Sequence, residues 1–459
     1  MLSREVLKEA LGRALATGAD YAEVFAEHTR NKNINIISGK TDKIGDAVIS
    51  GVGIRIFKGT RCVSGSASSL SPEAVLSCAS RVADALTGSA QIQNIVLRER
   101  LFGDIHPIRI VPADVANADK IDYLRQACEA AKNYSDEITQ VDGDFIEVDH
   151  RILIATSEGL LAQDRQIRSR VTLSSVASKN GENQTGSVTP GARKGLELFE
   201  DFDPVELGRE ASAQAVTMLH AGYIKAGTMP VAIENGFGGV IFHEACGHSL
   251  EASCVALGQS QFAGKLGERI ANEKVTAIDD GTIPNSWGSI NIDDEGTPAR
   301  RNVLIENGIL KTYMIDKLNG RRMGMASTGN CRRQSYQFEP TSRMTNTYIA
   351  AGEDRDEDII ASIEYGLYAK SMGGGSVNPI TGQFNFAVRE GYLIKNGKIC
   401  EPVRGASLIG KGSDVIMNID MVGRNVARAQ GMCGASSGSI PTDVGQPLIR
   451  VSSITVGGR

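Results

Sequence analysis

The sequence predicts an α+β protein in which two regions of helices and strands precede a β-rich C-terminal region. Apolar residues follow a helical spacing over residues 3–17, and short strand-like runs follow from Tyr21 to about Ser66. A similar order of helix and strands recurs over residues 116–179, which indicates related halves or a shared sheet. Beyond residue 225, one helix is followed by apolar runs separated by glycines and paired aspartates, a pattern typical of strands and turns.

Helix starts are marked by capping residues. Ser3 precedes the first helix, and Ser71-Pro72 combines a cap residue with proline at the first helical position, where its missing N–H costs nothing. Asp203 precedes Pro204 in the same way and opens a helix that we expect to run to about residue 220. Glu206 occupies the reciprocal position of a capping box.

The chain of 459 residues is longer than a single hydrophobic core usually sustains, so two or three domains are expected. We expect an N-terminal α+β region at 1–110, a middle α+β region at 111–224 and a β-rich C-terminal domain at 225–459. The stretch 180–193 is polar and glycine-rich, which predicts a loop or a flexible hairpin end.

Composition argues against several classes of partner. The net charge is −5, from 49 basic and 54 acidic residues, and no basic block favours nucleic acid or anionic lipid. No apolar stretch approaches the roughly 20 residues of a membrane span, and the N-terminus is too charged for a signal peptide. Eight scattered cysteines without a Cys-x-x-Cys pair favour reduced thiols. We therefore expect a cytoplasmic protein.

One stretch carries the strongest chemical signal. His243 and His248 lie five positions apart, and Glu244 follows the first of them. Neutral imidazoles are common zinc ligands, and a neighbouring carboxylate can accept a proton from a metal-activated water. In a regular helix, residues i and i+5 differ by about 140° of rotation, so the two imidazoles would point apart. We therefore predict a distorted turn, produced by a π-bulge or by loosening at Gly247.

A catalytic zinc ion needs a third protein ligand and one open position. Three candidates are local, namely Cys246, Glu251 and Cys254. The distant candidate is Cys433, whose flanking glycines would let a backbone loop approach the metal. Spacing alone does not choose among them.

The segment His243–Ala252 resembles the His-Glu-x-x-x-His motif of the TldD/PmbA family, specifically its catalytic TldD branch. The resemblance is strong from about residue 225 onward. It continues in the segments Asp293–Pro298, Glu339–Thr347, Glu390–Ile399, Gly431–Gly434 and Val444–Pro447.

The resemblance implies a zinc metallopeptidase whose metal ligands map onto His243, His248 and Cys433, with Glu244 as the catalytic carboxylate. The β-rich C-terminal domain would then be the catalytic one. The family also implies homodimers, or heterodimers with an inactive PmbA-like subunit, in which an enclosed site admits unfolded or short peptides. Arg343 is our candidate for stabilising the oxyanion.

The alternative is a non-catalytic peptide-binding or maturation partner with a structural metal. A structural zinc site closes its fourth position with a protein ligand, and Cys246 is the candidate for that position. The two readings therefore differ in the number of protein ligands around the metal.

Overall fold

The helices and strands below belong to a computed structural model that describes residues 2–89, 94–378 and 380–458. The α-helices are α1 (Arg4–Ala14), α2 (Pro72–Asp84), α3 (Asn117–Lys132), α4 (Leu198–Asp201), α5 (Pro204–His220), α6 (Val240–Phe242), α7 (Ala252–Val255), α8 (Lys317–Met323), α9 (Asp356–Ala361) and α10 (Gly412–Met417). The β-strands are β1 (Tyr21–Ile37), β2 (Lys40–Lys58), β3 (Arg61–Ala67), β4 (Arg98–Glu99), β5 (Ile138–Thr156), β6 (Leu160–Lys179), β7 (Glu182–Val188), β8 (Gly191–Ala192), β9 (Gly222–Tyr223), β10 (Gly227–Ile233), β11 (Ala277–Asp280), β12 (Arg301–Glu306), β13 (Ile309–Leu310), β14 (Cys331–Arg332), β15 (Thr341–Ser342), β16 (Asn346–Ile349), β17 (Tyr365–Val377), β18 (Gln383–Lys395), β19 (Lys398–Arg404), β20 (Ser407–Lys411), β21 (Ile419–Val422), β22 (Ala427–Ala435), β23 (Gly438–Gln446) and β24 (Ile449–Gly457).

The predicted helix starts are confirmed. The Ser3 and Ser71 side chains accept hydrogen bonds from the backbone N–H groups of Val6 and Ala74, at the starts of α1 and α2. Asp203 accepts from two N–H groups at the start of α5, including that of Glu206. The Glu206 carboxylate accepts a hydrogen bond from Arg209 at 2.8 Å instead of completing the capping box, because an i,i+3 guanidinium lies within its reach.

The two N-terminal regions share one sheet, which is antiparallel except for the parallel pairing of β4 with β6. Its strand order is β3-β2-β1-β5-β6-β4, and β7 and β8 also pair with β6. The central pairing joins β1 to β5 over fifteen residue pairs, from Glu23–Thr156 to Ile37–Asp142. The repeated helix–strand order therefore reflects a shared sheet. The predicted loop at 180–193 was wrong in part, since β7 and β8 lie within it and extend the edge of this sheet.

The two faces of this sheet pack against different neighbours, because successive side chains of a strand point to opposite faces. On β1, Ala22 and Val24 belong to a core that is closed by α1 and α2. Phe25 lies on the opposite face and packs with Ile292 and Tyr336 of the C-terminal region. The sheet is therefore sandwiched between helices and the C-terminal region.

The C-terminal region is β-rich, as predicted. Its two larger sheets have the strand orders β17-β10-β24-β20-β18-β19-β9, with β21 beside β24, and β13-β12-β11-β16-β23-β22. The helical segment 240–250 lies within the main hydrophobic core of this region, with strand residues from both sheets around it. Across residues 2–89, 94–378 and 380–458, each helix falls short of the length or the apolar character needed to cross a lipid bilayer.

A buried ion network joins the N-terminal sheet to the C-terminal region. Arg55 on β2 contacts the carboxylates of Glu23 on β1, at 2.9 Å, and of Glu295, at 2.6 Å. Arg333 on the C-terminal side contacts Glu23 at 2.6 Å. The side chains of all four residues are at most 2% exposed. Burial raises the pKa of Glu23, but the two guanidinium groups outweigh it and lower the pKa overall.

Breaking this network should destabilise the junction. Arg55→Met removes a positive charge that compensates the buried carboxylates of Glu23 and Glu295. We therefore expect the free energy of unfolding to fall by about 3–5 kcal/mol. Urea denaturation followed by the fluorescence of Trp287, the single tryptophan, measures the change. Arg30→Met removes an exposed pair with Asp46 on the same sheet and should leave the midpoint unchanged. Equal midpoints for the two variants would contradict this role of the network.

Candidate metal centre

The backbone widens by one residue between the two histidines. The segment passes from a 3₁₀ turn at Gly236–Gly239 through α6 into a π-helix at His243–Gly247, and then into a second 3₁₀ turn. A π-turn adds a residue to each hydrogen-bonded ring, which brings residues five apart towards the same side. The imidazole ring centroids of His243 and His248 lie 4.9 Å apart. The predicted distorted turn is confirmed.

The π-turn is packed tightly at Gly247. A Cβ atom added there would lie 2.4 Å from the sulfur of Met344, so a larger residue would displace the turn or the methionine. Gly247 has a helical backbone conformation, with φ of −50°. Glycine is therefore needed at this position because the π-turn packs closely against the sulfur of Met344.

The thiol of Cys433 completes a three-residue cluster. Cys433 lies on β22, and its Sγ is 3.2 Å from Nε2 of His243 and 3.3 Å from Nε2 of His248. The three potential ligand atoms lie within 4.8 Å of one another, and all three residues are buried. The structure thus brings together the two histidines and the distant cysteine, while their role as metal ligands stays a prediction.

Arg343 holds the turn that presents Cys433. Its fully buried guanidinium donates hydrogen bonds to the backbone oxygens of Cys433, at 2.5 Å, and Gly438, at 3.0 Å. It also donates to the hydroxyl of Ser437 at 2.8 Å. These bonds tie both strands of the β22–β23 hairpin to one cation. Arg343 is therefore a positioning residue for Cys433, and its role in stabilising an oxyanion stays a prediction.

The three local candidates lie outside the cluster. Cys246 is a fully buried core residue, and burial alone raises the pKa of its thiol. Cys254 also has a raised pKa, because burial disfavours its thiolate. The Glu251 carboxylate lies behind the imidazole, with Oε2 3.2 Å from Nδ1 of His248. This is the arrangement in which a carboxylate orients a ligating histidine and increases its basicity.

Charges at the cluster favour a cation among these groups. Burial raises the pKa of the Cys433 thiol, but the imidazoles of His243 and His248 outweigh it and lower the pKa to about 3. Burial lowers the pKa of His248, but Glu251 and Cys433 outweigh it and raise the pKa well above its ordinary value. These shifts favour negative charge at Cys433 and positive charge at His248. A metal ion bound there would replace a proton on these groups.

The donor set fits zinc. Two imidazole nitrogens and a thiolate are ligands that zinc prefers, and a tetrahedral site would separate nitrogen from sulfur by about 3.5 Å. The observed separations of 3.2 and 3.3 Å are close to that value. Among the described residues, the cluster contains three possible ligands, which leaves a fourth position for a non-protein group. Nδ1 of His243 is buried without a hydrogen-bond partner among the described residues.

Glu244 lies beside the cluster. Its Oε2 is 3.7 Å from Nε2 of His248, and its side chain is 18% exposed against 10% for that histidine. Burial raises the pKa of the Glu244 carboxyl, although the imidazoles of His243 and His248 oppose the rise. A carboxylate in this position can exchange protons with a group bound at the cluster.

The structure has a second buried cluster of possible metal ligands, formed by Glu295, Asp316 and Cys331. Its two carboxylates have structural roles. Glu295 pairs with Arg55 in the ion network. Asp316 caps α8 by accepting from the backbone N–H of Asn319 and from that residue's side-chain amide. Both carboxylates are therefore committed to protein donors.

Comparisons with known proteins show the family of the chain. Residues 22–86, 110–219 and 226–458 match the PmbA/TldA metallopeptidase domain 1, central domain and C-terminal domain, respectively. A Haemophilus influenzae protein named Metalloprotease TldD homolog is 37% identical over 452 residues, covering 96% of this chain and 93% of that protein. A Saccharolobus solfataricus protein named Zinc metalloprotease TldD homolog is 32% identical over 262 residues, covering 57% of this chain and 58% of its own.

The fold is also similar to a solved structure, that of TldE from Thermococcus kodakarensis. The TM-score is 0.78 at 20% identity, over 99% of this chain and 100% of that chain. On the sequence matches, the chain belongs to the PmbA/TldD metallopeptidase family.

Removal of the thiol should weaken metal binding. Cys433→Ala deletes the thiolate between the two imidazoles, and we expect the purified variant to lose most of its zinc. Metal analysis by mass spectrometry measures the content. Cys246→Ala is the matched control, since it removes a buried thiol that lies between the two histidines in the sequence but outside the cluster. Full zinc content in Cys433→Ala would remove this residue from the ligand set.

Glu251 should tune the affinity without binding the metal. Glu251→Gln removes the charge behind His248, and we expect zinc affinity to fall by about 10–100-fold. Competition with a chromogenic chelator measures it, and Glu268→Gln, at an exposed position, is the control. An unchanged affinity would show that Glu251 does not orient the imidazole.

Proposed function

We propose that this chain is a zinc-dependent peptidase that cleaves unfolded or short peptides, with Glu244 as the general base. The observation that carries the proposal is the convergence of His243, His248 and Cys433 beside this carboxylate. The name of the Saccharolobus solfataricus relative supports zinc as the metal. A zinc ion held there would lower the pKa of a water molecule and polarise a peptide carbonyl.

In this mechanism Glu244 transfers protons, and Glu251 and Arg343 position the metal ligands. Glu244 accepts a proton from the attacking water and passes it to the amine that leaves when the C–N bond breaks. Glu251 holds the His248 ring through Nδ1, at 3.2 Å, and keeps Nε2 directed at the cluster. Arg343 fixes the backbone of Cys433, so the thiolate does not have to reorganise during turnover.

Burial of the cluster supports flexible peptides as the substrate class. His243 and Cys433 are 3% and 5% exposed, respectively. The surface of a folded protein would not reach such a site, whereas an extended segment could enter as a single strand. Pairing of its main chain with an edge of a sheet would give affinity with little dependence on sequence.

We also propose that the chain works as a dimer, either with a second copy or with a PmbA-like subunit. The similarity in fold to TldE supports a partner of that shape. A cytoplasmic location stays a prediction. The non-catalytic reading needs a closed metal site, and Cys246, its expected fourth ligand, lies outside the cluster.

The proposal predicts separate effects on metal binding and catalysis. Glu244→Gln keeps the size of the side chain but cannot act as a base, so we expect full zinc content and a fall in kcat of about 10²–10⁴-fold. Cleavage of a quenched fluorescent peptide measures the rate. Glu273→Gln, at an exposed position in the same region, should match the wild type. Full activity of Glu244→Gln would contradict the mechanism, and a zinc-loaded wild type without cleavage would favour the non-catalytic reading.

A further inference from the structure

A cavity of about 300 Å³ lies between the N-terminal sheet and the C-terminal region. One wall is the sheet face formed by alternate residues of β1, β5 and β6, and the opposite wall comes from residues 287–294, 332–334 and the β22–β23 hairpin. The volume is at the lower end of the range for small-ligand sites, about 300–1,000 Å³. We call this space the interface cavity. It has room for one or two residues of a peptide.

The interface cavity lies close to the metal cluster. Met432 and Ile440 line it, and Ile440 pairs with Cys433 across the hairpin. Arg332, also in its wall, donates hydrogen bonds from Nη1 to the backbone oxygens of Pro441, at 2.7 Å, and Met344, at 2.8 Å. Met344 in turn contacts the π-turn at Gly247. A ligand in the cavity would therefore bind beside the residues that position the metal ligands.

Three guanidinium groups of the cavity wall lack a carboxylate partner among the described residues, those of Arg168, Arg332 and Arg170, and the first two are buried. Arg168 and Arg332 are 3% and 5% exposed, and neither has an acidic oxygen within 4.0 Å among residues 2–89, 94–378 and 380–458. Arg168 donates instead to neutral oxygens, those of Trp287, Ser289 and Gln166, at 2.8–2.9 Å. Hydrogen bonds to neutral oxygens orient these cations, and the acidic groups nearest to them act only from beyond direct contact.

The acidic residues that line the cavity are bound elsewhere. Asp293 accepts from the backbone N–H groups of three residues, 295, 297 and 331. Asp294 accepts from the backbone N–H of Arg333 at 2.6 Å. Glu27 accepts from the hydroxyl of Thr29 and from the backbone N–H of Tyr336, at 2.6 and 2.7 Å. Their oxygens are held by neutral donors and do not neutralise Arg168 or Arg332 by direct contact.

His150 is a further polar residue of the cavity wall. Its buried Nε2 has no hydrogen-bond partner among the described residues and lies 3.5 Å from Oε1 of Glu27. Val148, two residues along β5, pairs with Arg168 on β6, so His150 and Arg168 lie on the same face of adjacent strands. The rest of the wall includes apolar side chains such as Ile146 and Ile292. A ligand that fits would combine an apolar body with an anionic end.

We propose that the interface cavity binds a carboxylate of the peptide substrate between the guanidinium groups of Arg168 and Arg332. This proposal rests on the proposed peptidase function, and it adds a preference among substrates. The carboxylate comes either from the C-terminus of the peptide or from an acidic side chain. Guanidinium groups bind both in the same way, through charge-assisted hydrogen bonds to two oxygens.

Peptide binding to the zinc-loaded Glu244→Gln chain tests the proposal without cleavage. The probes are fluorescein-labelled five-residue alanine peptides, one with a free C-terminal carboxylate and one with a C-terminal amide. Two further amidated peptides carry one glutamate or one glutamine. Fluorescence anisotropy gives each Kd, and we expect at least one matched pair to differ by about 10-fold or more in favour of the carboxylate.

The source of the carboxylate follows from which pair differs. A preference for the free acid identifies the C-terminus, and a preference for glutamate identifies a side chain. In Arg332→Gln and Arg168→Gln the preference should fall below about 2-fold. Arg165→Gln should keep it, since Arg165 is exposed and pairs with Asp149.

Equal Kd values for both matched pairs in the chain with both arginines would overturn the proposal, and so would a preference that persists in both arginine variants. The comparison of peptides uses an unaltered cavity, so it does not depend on the folding of those variants. If the wild type binds carboxylate peptides preferentially but does not cleave them, the peptidase function fails and the carboxylate site stands.

Discussion

The metal cluster depends on one backbone constraint, which is that two histidines five residues apart must face the same way. A regular α-helix cannot meet it, and the π-turn at His243–Gly247 does. A π-turn is rare and less favourable than an α-turn, so its surroundings must hold it in place. The contact of Met344 with Gly247 and the core that encloses the segment provide that support. The chain therefore pairs an unfavourable local conformation with a well-packed environment, as functional sites often do.

The junction between the N-terminal sheet and the C-terminal region depends on buried charged residues. The N-terminal sheet meets the C-terminal region through Arg55, Arg333 and their carboxylate partners, and the cavity between the two bodies holds further buried arginines. A buried charge that loses its partner is costly, so this network favours the arrangement in which each charge is compensated. The same interface therefore aligns the sheet wall with the hairpin that carries Cys433. Any ligand of the cavity would be placed relative to the metal cluster by this alignment.

Local features of the fold were predictable from the sequence, and long-range ones were not. Ser3, Ser71 and Asp203 mark helix starts because capping depends on the nearest few residues. The distorted turn was predictable because helical geometry converts a spacing into an angle. The shared N-terminal sheet had only a weak signal, since its central pairing joins strands about 120 residues apart in the chain. Arg55 and Glu295 are 240 residues apart and gave no local pattern.

Within the site, sequence spacing left the third ligand open, and only the family resemblance indicated Cys433. Glu251 was recognised as a residue of interest but not as the partner of Nδ1 on His248, because that role depends on where the side chain points. The positioning role of Arg343 depends on its contacts with the hairpin, which the sequence does not reveal.

The separation of 190 residues between His243 and Cys433 has a consequence for protein synthesis. A ribosome adds about 5–20 residues per second, so the thiol is made about 10–40 s after the first imidazole. Throughout that interval the nascent chain has both histidines and Glu244 but lacks the sulfur and the strand that carries it. The three-residue cluster therefore cannot form until the ribosome has reached Cys433, when most of the 459 residues have been made.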